Sequence, residues 1–193
     1  EGCRSLYGAT KLSAELLAAE YGAMYGFPVI INRCGVLAGP WQMGRADQGI
    51  VAFWAARHVY GGSLRYIGFG GSGRQTRDIL HPRDLARLVL EQVRQPDRFT
   101  GRPWNVGGGR RVSVSLRELT ALCAAATGRQ VPVTPDPEPR PADIPLYLSD
   151  HAAITAACGW QPRVTAEAIV EEIVQWIRDH EATLRPVFEQ ERP

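Results

Sequence analysis

Short runs of β-branched residues alternate with Ala- and Leu-rich segments along this chain, and this alternation restricts the fold more than any other feature. Residues 5–22 are rich in Ala, Leu and Glu, with Ser5 placed to cap a helix and Gly26 placed to end it. Residues 27–32 (FPVIIN) form a β-branched run typical of a buried strand in a parallel sheet. Strands that alternate with helices predict a layered α/β fold.

The rest of the chain continues this alternation. Further helices are predicted where an amphipathic or Ala-rich pattern begins or ends at a capping residue; they cover residues 50–60, 82–93, 115–128, 150–159 and 165–183. Short strands are predicted at residues 65–67 and 104–106, and the proline-rich residues 131–145 are predicted to be extended and irregular. The glycine-rich turn at 68–73 precedes a polar stretch, which is not the pattern of a dinucleotide-binding loop.

The composition excludes several classes of protein. Apolar residues make up 45% of the 193 residues, and no apolar run approaches the roughly 18 residues that a membrane helix needs. The net charge of +2 argues against a basic nucleic-acid-binding surface. The four cysteines (3, 34, 123 and 158) lie far apart and away from His at metal-ligand spacing. We therefore expect reduced thiols, no metal site and a cytoplasmic location.

Lys11 is the only lysine among 22 basic residues, and it follows Tyr7 by four positions. On a helix, residues at this spacing lie on one face. An ammonium beside a phenol favours the phenolate, which can exchange a proton with a substrate hydroxyl while a hydride moves at the same carbon. A chance pair on a solvated helix face is the alternative, and it arises about 3% of the time in a chain of this composition.

Other motifs follow the Tyr7/Lys11 pair in a fixed order. They are NRCGVLAGP at 32–40, RDILHPRDLA at 77–86, WNVGGG at 104–109 and CGWQP at 158–162. In this order they resemble the C-terminal half of an extended short-chain dehydrogenase/reductase. That family contains the NAD-dependent nucleotide-sugar epimerases and dehydratases, and the resemblance covers nearly the whole chain.

The resemblance implies the C-terminal part of a Rossmann-type doubly wound sheet, joined to a small mixed α/β substrate-binding domain. Residues 1–40 would belong to the NAD-binding domain, and residues 41–193 mostly to the nucleotide-sugar domain, with 74–107 partly returning to the first. In the family, the glycine-rich NAD loop and a catalytic Ser or Thr precede the Tyr-x-x-x-Lys motif. We therefore expect the chain to be a fragment of a longer product, and inactive alone.

The family's roles can be carried over by position. Tyr7 would be the general acid/base and would contact NAD, Lys11 would hold the nicotinamide ribose, and Gly35 would also contact NAD. Arg77 would bind the diphosphate of a nucleotide sugar, a task that suits a planar bidentate donor. An ion pair with Asp78 is the alternative for Arg77.

Three further substrate contacts are implied. Gln42 and Gln48, with Asp47 between them, would touch the sugar from the loop at 41–49, and a plain solvated loop is the alternative. Tyr66 would flank the nucleotide base, whereas a core position in an edge strand is its alternative. His81, which precedes a proline, is expected to cap a helix or to pack, not to catalyse.

A finer resemblance links the segments 41–49, 71–81 and 113–119 to the branch that contains CDP-paratose (CDP-tyvelose) 2-epimerases. It implies an isomerase with bound NAD that oxidises a CDP-hexose transiently to a keto sugar and reduces it again on the other face. A nucleotide-sugar 4-epimerase, a 4,6-dehydratase, a reductase and a non-catalytic sugar-nucleotide-binding module remain alternatives. Val36 and Ala38 stand where many relatives have Asn and Tyr, so sugar recognition would differ here.

The same resemblance implies a homodimer. Relatives pair through helices that include the one carrying the Tyr-x-x-x-Lys motif, and Leu16, Leu17 and Tyr21 would supply the apolar face. Packing within one chain explains these residues equally well.

Overall fold

The computed structural model describes residues 5–45, 48–138, 140 and 143–189. The helices in this part of the chain are Leu6–Tyr25 (α1), Ile50–Tyr60 (α2), Pro82–Arg94 (α3), Leu116–Thr127 (α4), Ala152–Cys158 (α5), Ala166–Asp179 (α6) and Glu181–Glu189 (α7). The strands are Ile31–Cys34 (β1), Val36–Leu37 (β2), Leu64–Ile67 (β3), Thr76–Leu80 (β4), Pro103–Val106 (β5), Ser113–Ser115 (β6), Val133–Asp136 (β7) and Leu146–Tyr147 (β8).

Local capping signals set the ends of α1 and the start of α4, as the sequence predicts, whereas α2 and α5 begin at Gly49 and His151 without a side-chain cap. The Ser5 hydroxyl accepts the Gly8 N–H at 3.0 Å to begin α1, and Gly26 ends it in the left-handed conformation, φ 71°. Ser115 and Glu118 form a reciprocal capping box at the start of α4. These contacts lie within a few residues of one another, so a sequence pattern can reveal them.

Two predictions for the strands were wrong in their bounds. The first strand spans Ile31–Cys34 instead of residues 27–32, because pairing with β5 defines it: Ile31 lies opposite Pro103 and Cys34 opposite Val106. The segment predicted to be irregular contains β7, which pairs in parallel with β3. Pairing between distant segments is not visible in a local pattern.

The last predicted helix was also wrong in extent, because the chain forms two helices there. His180 adopts φ −118° and ends α6, and α7 follows at once. Three short sheets connect these elements: β1 with β5, β3 with β7, and β4 with β2, β6 and β8. Within the third sheet β4 runs parallel to β2 and β8 and antiparallel to β6, so it is the shared strand.

The hydrophobic core has two clusters. The larger lies among α2, α4, α6 and α7 and includes Trp54, Leu119, Ile173 and Ile177. The smaller packs α3 and α5 against the first sheet; its buried members are Leu80, Leu88, Phe99, Trp104, Val106, Ile154 and Trp160. Helix α1 contributes no buried residue to either cluster. Among the described residues, no helix is long and apolar enough to cross a membrane, and no group of three or more metal-ligating side chains converges.

Candidate functional site

Tyr7 and Lys11 lie on one face of α1, as their spacing predicts. The Lys11 ammonium lies 5.4 Å from the centre of the Tyr7 ring, in cation–π geometry. Tyr7 is 66% exposed, and Lys11 is exposed as well. Both side chains are therefore accessible to a molecule that binds beside α1.

Helix α1 is attached to the rest of the chain through its middle and its C-terminal end. Arg33 on β1 donates from Nε and Nη2 to the Glu15 carboxylate, with the shortest distance 2.7 Å. This hydrogen bond lowers the pKa of Glu15. At Gly22 the helix approaches the connection to β1 so closely that an added Cβ would lie 2.6 Å from a Val29 methyl group.

Gly35 lies where the chain leaves β1 and enters β2. Its N–H donates to the Val106 carbonyl at 2.8 Å, and an added Cβ would lie 2.7 Å from a carboxylate oxygen of Asp78. The lack of a side chain at Gly35 thus has a packing cause in this chain. Contact between Gly35 and NAD stays a prediction.

Arg77 pairs with Asp143, not with Asp78. Its Nη2 donates to Asp143 Oδ1 at 2.8 Å, and its side chain is about three-quarters buried. Successive residues of a strand point to opposite faces, which sends Asp78 into the interior and Arg77 toward the segment before β8. Sequence reasoning missed Asp143 as the partner of Arg77, because a single Asp in a proline-rich stretch gives no local signal of a distant partner.

The loop that carries Gln42 and Gln48 is folded back on the start of α2. Gln42 donates from Nε2 to the Leu37 carbonyl at 3.0 Å, while its Oε1 is buried with no hydrogen-bond partner among the described residues. Gln48 is exposed. Asp47 lies outside the described residues. The Gln42 amide oxygen is therefore an acceptor that a polar ligand group could satisfy.

Tyr66 is held from two sides. Its hydroxyl donates to Thr120 Oγ1 at 2.9 Å, the same oxygen that accepts from the Trp54 indole. Its ring lies against Gly73, where an added Cβ would come within 2.7 Å of it. Thr120, which sequence reasoning missed, fixes the phenol, and a role for Tyr66 beside a nucleotide base stays a prediction.

His81 caps α3, as expected. Its Nδ1 accepts the Arg83 N–H at 3.0 Å, and its Nε2 lies 3.4 Å from a carboxylate oxygen of Glu172. Burial lowers the pKa of His81 despite that carboxylate. A buried, neutral capping histidine supports the structural role.

The mostly parallel strands and the helices that cover them place the chain among Rossmann-type α/β proteins. Residues 2–107 match the NAD dependent epimerase/dehydratase family, and the chain belongs to that family. The sequence resemblance and the expected Rossmann-type α/β fold are thereby confirmed.

Individual relatives carry out several reactions. The chain is 28% identical over 174 residues to a CDP-paratose 2-epimerase from Salmonella typhi, covering 89% of this chain and 51% of the relative. It is 30% identical over 183 residues to a dTDP-glucose 4,6-dehydratase from Streptomyces antibioticus, covering 95% and 52%. A Thermus thermophilus UDP-glucose 4-epimerase in complex with NAD superposes with a TM-score of 0.78 at 28% identity, covering 92% and 55%.

The chain spans about half the length of the curated relatives it matches. The family is NAD-dependent, which confirms the expected cofactor at the level of the family. The described residues fit one end of that cofactor: an exposed phenol and an ammonium lie together on α1, where they can hydrogen-bond a ribose and a reacting hydroxyl.

Proposed function

We propose that this chain forms the substrate-binding and proton-transferring part of an NAD-dependent nucleotide-sugar epimerase. The substrate class proposed is a CDP-hexose, inverted at C2. The observation that carries the proposal is the Tyr7/Lys11 pair, exposed on one face of α1. The Salmonella typhi relative supports the choice of reaction within the family.

Tyr7 would act as the general base and then as the general acid. Its Oη takes the proton of a sugar hydroxyl as the carbon is oxidised to a ketone, and returns the proton after the other face of the sugar has been presented. Tyr7, Lys11 and Gly35 would hold NAD, which would supply reversible hydride transfer, so the reaction would have no net redox change. Lys11, whose ammonium lies 5.4 Å from the centre of the Tyr7 ring, would donate to the ribose.

Arg77 would bind the diphosphate of the nucleotide sugar. A guanidinium offers two parallel donors to phosphate oxygens, and Asp143 already holds this one in a defined position. Gln42 and Gln48 would contact the sugar, Tyr66 the nucleotide base, and Gly35 the cofactor. Of these, Gln42 has the strongest structural support, because its buried amide oxygen lacks a partner among the described residues.

A 4,6-dehydratase is the second candidate, and the relative from Streptomyces antibioticus supports it. Both reactions begin with the same oxidation, so both require Tyr7. They differ in the product: an epimerase returns a hexose isomer, whereas a dehydratase eliminates water. Product analysis with CDP-, UDP- and dTDP-hexoses distinguishes the two.

The proposal includes a cytoplasmic homodimer that pairs through α1. Leu16, Leu17 and Tyr21 are each more than half exposed on that helix and offer an apolar surface. Light scattering on the full gene product should give the mass of two chains. A monomeric mass would reject the dimer.

The test of the reaction uses the full gene product that contains this chain. Tyr7→Phe is compared with Tyr25→Phe, which removes the hydroxyl of another exposed tyrosine on the same helix. We expect Tyr7→Phe to lower the rate of isomerisation by at least about a hundredfold, the usual contribution of a positioned acid/base, and Tyr25→Phe to leave it unchanged. NAD(H) released on denaturation should approach one per chain in both variants.

Three results would contradict the proposal. Full activity of Tyr7→Phe would remove the acid/base role. Binding of nucleotide sugars with no turnover in the wild type would favour the non-catalytic module. A protein purified without bound NAD(H) would favour a reductase that exchanges its cofactor.

A further inference from the structure

Asp78 on β4 is a fully buried carboxylate, with no exposed surface. Its Oδ2 accepts the N–H of Gly109 at 3.1 Å, and its Oδ1 has no hydrogen-bond partner among the described residues. Burying a charge costs free energy unless good partners surround it. A carboxylate with one hydrogen bond is therefore a poor choice for stability alone, and its place in the fold calls for another explanation.

The space around this carboxylate is made by glycines. An added Cβ at Gly35 would lie 2.7 Å from Asp78 Oδ2, and one at Gly107 would lie 2.2 Å from the same oxygen. The Cβ at Gly107 would also lie 2.3 Å from the Ser149 hydroxyl, which is buried without a partner among the described residues. Three segments thus converge on Asp78: the β1–β2 crossover, the loop after β5 and the segment before α5.

The same strand carries Arg77 on its opposite face. Arg77 lies opposite Val114 of β6 and Tyr147 of β8, so hydrogen bonds on both sides fix the backbone at this point. The Asp78 carboxylate packs closely against the crossover at Gly35, and Arg77 is the preceding residue of the same strand. The predicted cofactor contact and the predicted diphosphate contact are therefore linked through one residue of β4.

We propose that Asp78 is a positioning residue, whose carboxylate holds the crossover at Gly35 and the loop at Gly109 in a fixed relation to Arg77. This inference rests on the proposed function for the roles of Gly35 and Arg77. The competing explanation is that Asp78 only fills space between two glycines. The two explanations differ in what keeps the two loops in place. A positioning role requires a hydrogen-bond acceptor at residue 78, whereas a space-filling role requires only atoms of similar volume.

Three variants of the full gene product that contains this chain separate these explanations. Asp78→Ala removes both the acceptor and the volume, Asp78→Asn keeps the shape and an acceptor, and the double variant Gly35→Ala, Asp78→Ala puts a methyl group back into the space without an acceptor. The first readout is hydrogen exchange at the amides of Gly35 and Gly109. The second is the affinity for CDP, measured by calorimetry.

We expect Asp78→Ala and the double variant to exchange the Gly109 amide at least about tenfold faster than the wild type, because the hydrogen bond from Gly109 to the side chain of residue 78 is lost. The same two variants should weaken CDP binding by about tenfold, while Asp78→Asn stays within about threefold of the wild type. Two results would overturn the positioning role. One is a double variant with the exchange rate and CDP affinity of the wild type, and the other is an Asp78→Asn variant that loses either property as Asp78→Ala does.

Asp84→Asn is the matched control, because Asp84 is a second buried aspartate that lies outside the predicted site. It should lower the free energy of unfolding and leave the Gly109 amide and CDP affinity unchanged. Arg77→Ala separates this inference from the proposed function. If the wild type binds CDP no better than Arg77→Ala does, the proposed diphosphate contact fails, and the exchange rates alone decide whether Asp78 holds the two loops.

Discussion

Helices α1 and α6 have similarly clear sequence signals but very different surroundings. The shorter helix, α6, buries seven residues against α2 and α4, with Ile169, Ile173 and Ile177 forming one apolar stripe. The 20-residue helix α1 buries none, and its Leu17 is 61% exposed. Capping and composition create a helix, whereas burial depends on which other segments are present to cover it.

The difference separates stability from chemistry in this chain. The core among α2, α4 and α6 holds the fold together, while the proposed acid/base pair lies on a helix that the core does not support. Segments that bind and release ligands commonly have low local stability, as expected for a helix with no buried residue. Substitutions in the two helices should therefore differ in the property they change: unfolding free energy for α6 and ligand chemistry for α1.

The largest effect is expected in the core. Ile173→Ala should lower the free energy of unfolding by about 3 kcal/mol, because it leaves a cavity in a fully buried site. Leu17→Ala removes the same number of carbon atoms from α1 and should cost less than about 0.5 kcal/mol at protein concentrations where the chain is monomeric, and more where the proposed dimer forms. Urea denaturation measures both. If the alanine variant of Ile173 does not fold, Ile173→Val should still cost about 1 kcal/mol.

Equal losses of unfolding free energy in Ile173→Ala and Leu17→Ala would contradict the contrast between α6 and α1. That result would mean that Leu17 is covered in solution, as the proposed dimer requires. Repeating the measurement over a range of protein concentrations would then distinguish a dimer, whose stability depends on concentration, from coverage within one chain.

An intermediate effect is expected at Asp84, which connects α3 to the segment that leads into α6. Its carboxylate accepts the N–H groups of Arg163 and Val164, at 2.8 and 3.0 Å, and pairs with Arg87. Burial acts to raise the pKa of Asp84, but the hydrogen bonds from Val164, Arg87 and Arg163 outweigh it and hold the pKa below its ordinary value. Asp84→Asn should cost about 2 kcal/mol at pH 7.

The sign of the pH dependence follows from the lowered pKa. The stabilisation by Asp84 is fully present above the unfolded-state pKa of 3.8 and is lost as the pH falls through the folded-state value. The difference in unfolding free energy between wild type and Asp84→Asn should therefore be constant from pH 7 to about pH 5 and shrink in stronger acid. A difference that grows on acidification would contradict this assignment.

The sequence predicted what is encoded locally. The caps at Ser5 and Ser115 were visible as short motifs, and the structure places each at a helix start. The Tyr7/Lys11 pair is likewise a four-residue spacing on a helix. These features could be predicted because the interacting groups lie within one or two turns of each other.

Contacts between distant segments could not be predicted in this way. Asp143 meets Arg77 across 66 positions, and β7 pairs with β3 across a similar separation. The sequence suggested Asp78 only as an ion-pair partner of Arg77, because its true neighbours, Gly35 and Gly107, make room for it by lacking side chains. A missing side chain gives no pattern until the fold brings the segments together.

The smallest effect is expected at Glu15, whose bidentate pair with Arg33 links α1 to β1. Both side chains are on the surface, where such pairs contribute at most about 1 kcal/mol, so Glu15→Gln should lower the global unfolding free energy by about 0.5 kcal/mol. Its local effect should be larger, because an isolated helix of this length is marginally stable. Hydrogen exchange along α1 should quicken in the variant, and in wild type at 1 M salt, which screens the pair. Glu20→Gln, at an exposed glutamate of α1, is the control and should leave hydrogen exchange along α1 unchanged.

A loss of more than about 2 kcal/mol of global unfolding free energy in Glu15→Gln would contradict this prediction. It would show that α1 unfolds together with the core.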